Sequence, residues 1–194
     1  RSPQIVAVYD LGGGTFDVSL LELRSGAFEV LATAGDSMLG GEDFDSALVD
    51  HLAGQFQRQH GIDLRADQHA LVRLRDAAQK AKHELSWALS TELNLPFIAA
   101  RNDQPLHLAA TLSRRELELL TRPLIGRTLG PCRRVLVDAG LQATQIEEVL
   151  LVGGQTRMPA VVEAVAEFFG RPPSAAPNPD EAVAIGAAIQ GAVL

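Results

Sequence analysis

Three consecutive glycines, Gly12 to Gly14, lie between Asp10 and Asp17 in the segment VYDLGGGTFD. Glycine lets a backbone adopt positive φ and approach a ligand closely, and consecutive N–H groups in such a turn bind anions. Carboxylates suit Mg²⁺, usually through water, and Thr15 adds a hydroxyl beside the turn. The segment therefore predicts a phosphate-binding hairpin tip, although a tight glycine turn with surface aspartates explains it equally well.

The familiar glycine-rich nucleotide motifs do not describe this segment. The P-loop pattern G-x-x-x-x-G-K-[ST] is absent, and the glycines lead into a strand-like run rather than a helix. A dinucleotide fingerprint fails for the same reason. What remains is a hairpin tip whose amides could hold a phosphate.

Two further glycine pairs stand where helices begin. Gly40 and Gly41 precede the run EDFD, and Gly153 and Gly154 lie between an apolar strand and a helix. Backbone amides and the helix dipole favour anions at such positions. Ordinary turns explain each pair separately, but together with the hairpin they indicate a nucleotide cleft.

One helix carries a polar stripe with binding potential. In QKAKHELS, the residues Gln79, Lys82, His83 and Ser86 are spaced i, i+3, i+4 and i+7, so they share one helix face. A solvated surface stripe is the plain alternative.

The surrounding elements follow an α/β order. A mostly apolar run over 5–10, an alternating run over 15–23 and a third strand-like run over 28–36 predict a β-meander in which the glycines form the first hairpin turn. Strand 147–152 leads to Gly153 and is expected to return to this sheet. The other predicted elements are helices over 40–61, 67–89, 113–140, 156–170 and 178–194, and strands over 91–99 and 105–112.

Local signals set several of these boundaries. Ser113 and Glu116 form a predicted capping box, and Asn178 with Pro179 predicts the start of the last helix. Trp87 and the pair Phe168–Phe169 are expected in the core.

Composition limits the function classes. The chain has 194 residues, a net charge of −7, 46% hydrophobic and 21% charged residues. A negative protein is a poor binder of nucleic-acid backbones, and the last apolar run is too short and interrupted to span a membrane.

The histidines lack metal-ligand spacing. The single cysteine, Cys132, excludes an intrachain disulfide, is expected as a packed thiol, and fits a reducing compartment such as the cytoplasm.

Five motifs in order carry a family resemblance: VYDLGGGTFDVS, GDSMLGGEDFD, KAKHELS, VGGQTRMP and NPDEAVAIGAAIQG. They resemble the nucleotide-binding domain of the DnaK-type seventy-kilodalton heat-shock chaperones, over essentially the whole chain. The resemblance is to the second lobe of that ATPase domain. The family's first lobe, catalytic lysine, first phosphate loop and peptide-binding domain have no counterpart, and the start at RSPQIVAVYD without Met suggests an excised piece of a longer protein.

The resemblance implies an actin-like (ribonuclease H-like) ATPase lobe with a sheet-based base subdomain, 1–39 and 116–194, and a peripheral subdomain, 40–115. It implies a chaperone that couples ATP hydrolysis to binding and release of unfolded peptides, with negligible activity from this lobe alone. The implied partners are ATP or ADP, Mg²⁺, the missing first lobe and peptide-binding domain, a J-domain co-chaperone and a nucleotide-exchange factor, with no nucleic acid or membrane.

The same resemblance assigns roles to residues of this chain. Asp10 and Thr15 would contribute to catalysis, and Asp10 and Asp17 would hold Mg²⁺ through water. The implied nucleotide contacts are Gly12, Gly13, Gly14, Thr15, Gly41, Gln79, Lys82, His83, Ser86, Gly153, Gly154, Arg157, Met158 and Asp180.

Three positions depart from the family pattern. Gln79 stands where Glu commonly accepts hydrogen bonds from the ribose, which predicts somewhat weaker nucleotide binding. His83 replaces Arg or an aliphatic residue, so any stacking on adenine would depend on pH. Met38 replaces a common His, and nothing in the sequence gives its consequence.

Other function classes share parts of this pattern. A sugar kinase of the same superfold would have the glycine hairpin, but the long matches LVGGQTRMP and NPDEAVAIGAA favour the chaperone. A docking module for a nucleotide-exchange factor, gripping the region 40–115, is compatible with it. A filament-forming actin relative is disfavoured because no polymer contact is evident.

Overall fold

The computed structural model describes residues 3–24, 27–174, 178–179 and 181–193. The chain forms two compact units: Arg1–Gly41 with Pro123–Leu194, and Glu42–Arg122. The sequence-based division placed these boundaries after residues 39 and 115. The strands are β1 (Gln4–Leu11), β2 (Phe16–Arg24), β3 (Ala27–Asp36), β4 (Ser90–Arg101), β5 (Gln104–Ser113) and β6 (Glu148–Val152). The helices are α1 (Gly41–His60), α2 (Gln68–Glu84), α3 (Arg114–Asp138), α4 (Pro159–Phe169) and α5 (Ala182–Val193).

The first unit is built on a four-stranded sheet in the order β3-β2-β1-β6. The first three strands form an antiparallel meander, and β6 pairs parallel with β1 so that Asp10 lies opposite Val152. Both the meander and the return of the late strand to this sheet are confirmed. A mixed sheet with helices is the α/β architecture that the sequence predicted.

The core of the first unit contains one buried hydroxyl chain. Tyr9 on β1 is fully buried, and its hydroxyl donates to Thr128 Oγ1 at 2.8 Å. Thr128 donates in turn to the carbonyl of Ile125 at 2.7 Å. Burial raises the pKa of Tyr9 far above its usual value, so the phenol stays protonated and remains a donor.

These linked hydroxyl groups predict that substituting Thr128 costs more stability than substituting Tyr9. Tyr9→Phe removes one buried hydrogen bond and should lower the free energy of unfolding by about 1 kcal/mol. Thr128→Val leaves the Tyr9 hydroxyl buried without an acceptor and should cost about 2 kcal/mol. Urea unfolding of both variants checks the order, and an equal or reversed cost would contradict it.

The last helix, α5, is described from Ala182 onward. The carbonyl of Asn178 accepts from the amide of Ala182, four residues later, which fits the predicted start of this helix at Asn178 and Pro179. The side chain of Asn178 also makes a tertiary contact, because it accepts from Arg157 Nη2 at 2.6 Å. Within the described residues, no helix is long and apolar enough to cross a bilayer.

The second unit packs helices against the hairpin of β4 and β5. One face of α1 is buried, and it carries residues that recur at helical spacing: Phe44, Leu48, Leu52 and Phe56. The capping box at the start of α3 is confirmed. The amide of Glu116 donates to Ser113 Oγ, and Glu116 Oε2 accepts from the amide of Ser113.

The end of α2 was predicted wrongly. The helix stops at Glu84, and the amides of Ser86 and Trp87 bond three residues back, to His83 and Glu84, in a tightening turn. Trp87 therefore leaves the helix surface and is 71% exposed, so its assignment to the core is wrong. Phe169 and Cys132 are buried as predicted, and Phe168 is half-buried beneath the Arg133 guanidinium.

Candidate functional site

The triple glycine forms the hairpin tip between β1 and β2. The amide of Gly12 donates to the carbonyl of Thr15 at 3.1 Å, which closes the turn. Gly13 and Gly14 are exposed, and side-chain atoms built on either residue would meet nothing within 4 Å. The outer side of the tip is therefore open, and a large anion has room to reach its backbone amides.

Two carboxylates stand at the base of this tip. Asp10 and Asp17 are directly paired across the antiparallel strands, so their side chains lie on the same face of the sheet. Burial raises the pKa of Asp10, and the charge of Asp17 raises it further. Neighbouring carboxylates of this kind fit a divalent cation, which would relieve their repulsion.

The described residues contain no group of three or more His, Cys, Asp or Glu side chains that could hold a metal. A cation at Asp10 and Asp17 would thus need ligands from water or from a bound phosphate. Mg²⁺ is commonly held in that way, by one or two carboxylates together with phosphate oxygens.

The first glycine pair supports the hairpin from the side. The amide of Gly41, at the start of α1, donates to the carbonyl of Gly12 at 2.9 Å. A Cβ on Gly40 would lie 2.5 Å from the Cα of Gly14 and against the carbonyl of Gly13. This segment can approach the tip only because residue 40 has no side chain.

The second glycine pair meets the hairpin from β6. Gly153 has φ +85°, and a Cβ there would lie 2.8 Å from Asp10 Oδ1 and against the carbonyl of Leu11. Its amide donates to the carbonyl of Pro179 at 3.1 Å. The start of α1 and the end of β6, where the two predicted glycine pairs lie, thus both meet the hairpin.

The residues after Gly153 divide into exposed and buried positions. Gly154 and Arg157 are exposed within a short 3₁₀ turn. Met158 is buried, and its sulfur receives the side-chain amide of Gln155 at 3.6 Å. Met158 therefore contacts the turn from the protein interior, and the side chain of Arg157 lies at the surface. Asp180 lies outside the described residues.

The polar stripe of α2 belongs to the second unit. Gln79 and His83 are exposed, and Ser86 is half-buried with its hydroxyl 3.4 Å from the carbonyl of Lys82. Lys82 itself is only 6% exposed. The stripe therefore presents two exposed side chains, with a buried cation between them.

The ammonium of Lys82 pairs with a carboxylate that sequence reasoning missed. Its Nζ lies 2.9 Å from Asp45 Oδ1 on α1. Burial lowers the pKa of Lys82, while the charges of Asp45 and then Glu42 oppose that shift. A signal was available: Lys82 follows Ala78 by one turn on the buried side of α2, where a charge needs a partner.

A small pocket opens beside this ion pair. Its volume is about 290 Å³. It contains Gln79, a member of the predicted stripe, together with residues that the sequence analysis did not single out. These are Glu42, Asp45, Ser46 and Arg75.

A larger groove of about 520 Å³ lies between α2 and β4. It contains none of the predicted site residues, and three of its polar side chains make hydrogen bonds within the unit. Arg73 donates to the carbonyls of Pro96 and Phe97, and Glu84 accepts from the hydroxyl of Thr91. The smaller pocket is therefore the better candidate in this unit.

The mixed sheet and its helices are consistent with the actin-like ATPase fold of the family that the chain matches. Residues 1–194 match a family model described as Hsp70 protein. The chain therefore belongs to the Hsp70 family, whose nucleotide-binding domains are chaperone ATPases that bind ATP or ADP with Mg²⁺.

Proposed function

We propose that this chain binds ATP or ADP with Mg²⁺ through two sets of residues, one in each unit. The observation that carries the proposal is the open hairpin tip beside the paired carboxylates of Asp10 and Asp17. Gly12–Thr15 would hold phosphate oxygens by their amides, and Asp10 with Asp17 would hold the cation through water. Gly41 and Gly154 would add nucleotide contacts, and Gly153, as a glycine, lets β6 approach Asp10 and Leu11 closely.

The second unit would contact the nucleoside. Gln79 and His83 are exposed side by side on α2, and the half-buried Ser86 follows in the turn after the helix. The side chain of Arg157 and the turn ending at Met158, in the first unit, would add base contacts, as would Asp180. Phosphate and nucleoside would thus be recognised by different parts of the chain.

The hydrolytic chemistry is a matter of positioning and charge. Mg²⁺, when bound, would neutralise charge developing on the transferred phosphoryl group. Asp10 would orient a water at the cation, and Thr15 would offer a hydroxyl beside the phosphates. Because Asp10 and Thr15 are the catalytic groups that we propose for it, the chain by itself should hydrolyse ATP negligibly. ATP turnover that survives purification and disappears in Asp10→Asn would contradict this.

Within a chaperone, nucleotide binding here would regulate capture and release of unfolded peptides during the stress response. A J-domain co-chaperone would stimulate hydrolysis, and an exchange factor would dock on the second unit. A pull-down of a family exchange factor, with and without ADP, tests the latter. A cytoplasmic setting would fit a chain with a single cysteine, Cys132.

An NMR titration separates the two proposed contact sets. In the ¹⁵N-labelled chain, Mg-ADP should shift amides at Gly12–Thr15, Gly153–Arg157 and Gln79–Ser86. Tripolyphosphate should shift Gly12–Thr15 but not Gln79–Ser86. Adenosine should shift Gln79–Ser86 and Arg157 but not Gly12–Thr15. Because millimolar affinity corresponds to only about 4 kcal/mol, concentrations up to about 10 mM are needed. No shift in any group at that concentration would refute the proposal.

A further inference from the structure

One segment of the first unit, residues 35–41, touches both parts of the proposed phosphate and cation site. At its start, a Cβ on Gly35 would lie 2.7 Å from Asp17 Oδ1, so that carboxylate lies directly against the glycine. Near its end, Gly40 lies against the backbone of Gly13 at the hairpin tip. A movement of this segment would therefore disturb a carboxylate and the glycine tip together.

The middle of the segment is held by three residues that form a clasp. Asp36 Oδ1 accepts from the amide of Met38 at 3.0 Å, which closes a turn within the segment. Arg127, on α3, donates through Nη2 to Asp36 Oδ2 at 2.7 Å and to the carbonyl of Met38 at 3.2 Å. Arg127 thus joins α3 to the segment at two acceptors, one on a side chain and one on the backbone.

The charges of the clasp suit a local restraint. The hydrogen bond from the Met38 amide, and then the one from Arg127, lowers the pKa of Asp36, so its carboxylate stays ionised at neutral pH. The side chains of Arg127 and Asp36 are 45% and 27% exposed, and solvent weakens such a pair. We therefore expect a modest effect on the segment and little effect on global stability.

Met38 contributes to the clasp through its backbone. Its amide and its carbonyl are both hydrogen-bonded there, whereas its side chain is 79% exposed. The clasp should therefore be insensitive to the side chain at position 38. This makes Met38→Ala a matched control within the same turn.

We propose that Arg127 is a positioning residue for the phosphate-binding tip. It fixes segment 35–41 through Asp36 and Met38, and the segment in turn holds the glycine hairpin. The inference rests on the nucleotide function proposed above, and it assigns to α3 a role in shaping the site although Arg127 need not touch the nucleotide.

The first test is a tripolyphosphate titration of the ¹⁵N-labelled complete chain. Arg127→Gln and Asp36→Ala should each weaken binding about fivefold, the size expected for an exposed ion pair, and the double variant should lose no more than either. Met38→Ala should bind normally, as should Arg134→Gln, which removes an exposed charge from the same helix. Charge alone predicts the opposite sign for Asp36→Ala, because removing an anion would strengthen the binding of a polyanion.

The second test is amide hydrogen exchange without ligand. The amide of Gly41 donates to the carbonyl of Gly12 and depends on the segment, whereas the amide of Gly12 donates to Thr15 within the hairpin. Arg127→Gln should speed exchange at Gly41 about fivefold and leave exchange at Gly12 unchanged. A general loss of stability would instead speed the exchange of both amides.

The outcomes separate this inference from the proposed function. Tighter tripolyphosphate binding by Asp36→Ala, or equal losses in Arg127→Gln and Arg134→Gln, would overturn the positioning role and leave the phosphate site intact. Unchanged exchange at Gly41 in Arg127→Gln would overturn it as well. Absence of tripolyphosphate binding by the unmodified chain would overturn the proposed phosphate site and, with it, this inference.

Discussion

Replacing Gly153 with alanine should lower the free energy of unfolding by about 3 kcal/mol and remove phosphate binding at the hairpin. The residue has φ +85°, a conformation that side chains disfavour, and its Cβ would lie 2.8 Å from Asp10 Oδ1. The carbonyl of Leu11 blocks the same space. Either β6 or the hairpin must move, and both support the site. Urea unfolding measures the stability, and a tripolyphosphate titration measures the binding.

Gly140→Ala is the matched control for backbone strain. Gly140 also has positive φ, +66°, but a Cβ there would meet nothing within 4 Å. It should cost only about 1 kcal/mol, the usual penalty for a left-handed residue, and leave phosphate binding unchanged. Equal losses of stability in Gly153→Ala and Gly140→Ala would show that the close approach at Gly153 adds nothing to the cost of positive φ.

Asp10→Asn should weaken Mg-ADP binding by about tenfold or more and, at the same time, stabilise the ligand-free protein at neutral pH. The binding loss follows from removing one of two carboxylates proposed to hold the cation. The stability gain follows from the raised pKa of Asp10, because burial and Asp17 disfavour its charged form. Titration with Mg-ADP and thermal unfolding without ligand measure the two effects.

The pH dependence has a definite sign. A carboxyl group whose pKa is raised on folding binds its proton more tightly in the folded state than in the unfolded state. Stability therefore falls as pH rises above the usual aspartate value of about 3.9. Asp10→Asn should remove this fall in stability with rising pH. The unmodified protein and the variant should therefore be equally stable near pH 3, to within about 0.5 kcal/mol, and their stabilities should diverge above that pH.

The control for this prediction is Asp138→Asn, at an exposed position at the end of α3. It should change neither the free energy of Mg-ADP binding nor the free energy of unfolding by more than about 0.5 kcal/mol. EDTA should reproduce the binding loss in the unmodified chain but not in Asp10→Asn. A variant that binds Mg-ADP normally, or that is less stable at pH 7, would contradict the assignment of Asp10.

Local sequence patterns determined most of the elements and half of the site. The glycine run between alternating strands specifies a hairpin, the spacing of Phe44 and Leu48 specifies the buried face of α1, and Ser113 with Glu116 caps α3. Each depends on hydrogen bonds or contacts between residues close in the chain, which is why the sequence alone predicts them.

Tertiary structure decided the features that join distant segments. The approach of Gly40 to Gly13, the contact of Gly153 with Asp10 and the pairing of Lys82 with Asp45 each depend on how strands and helices pack. Trp87 is exposed because α2 ends at Glu84, a boundary that helix propensity did not mark. Packing fixes which side chains meet across separate elements, whereas periodicity specifies only the face on which each side chain lies.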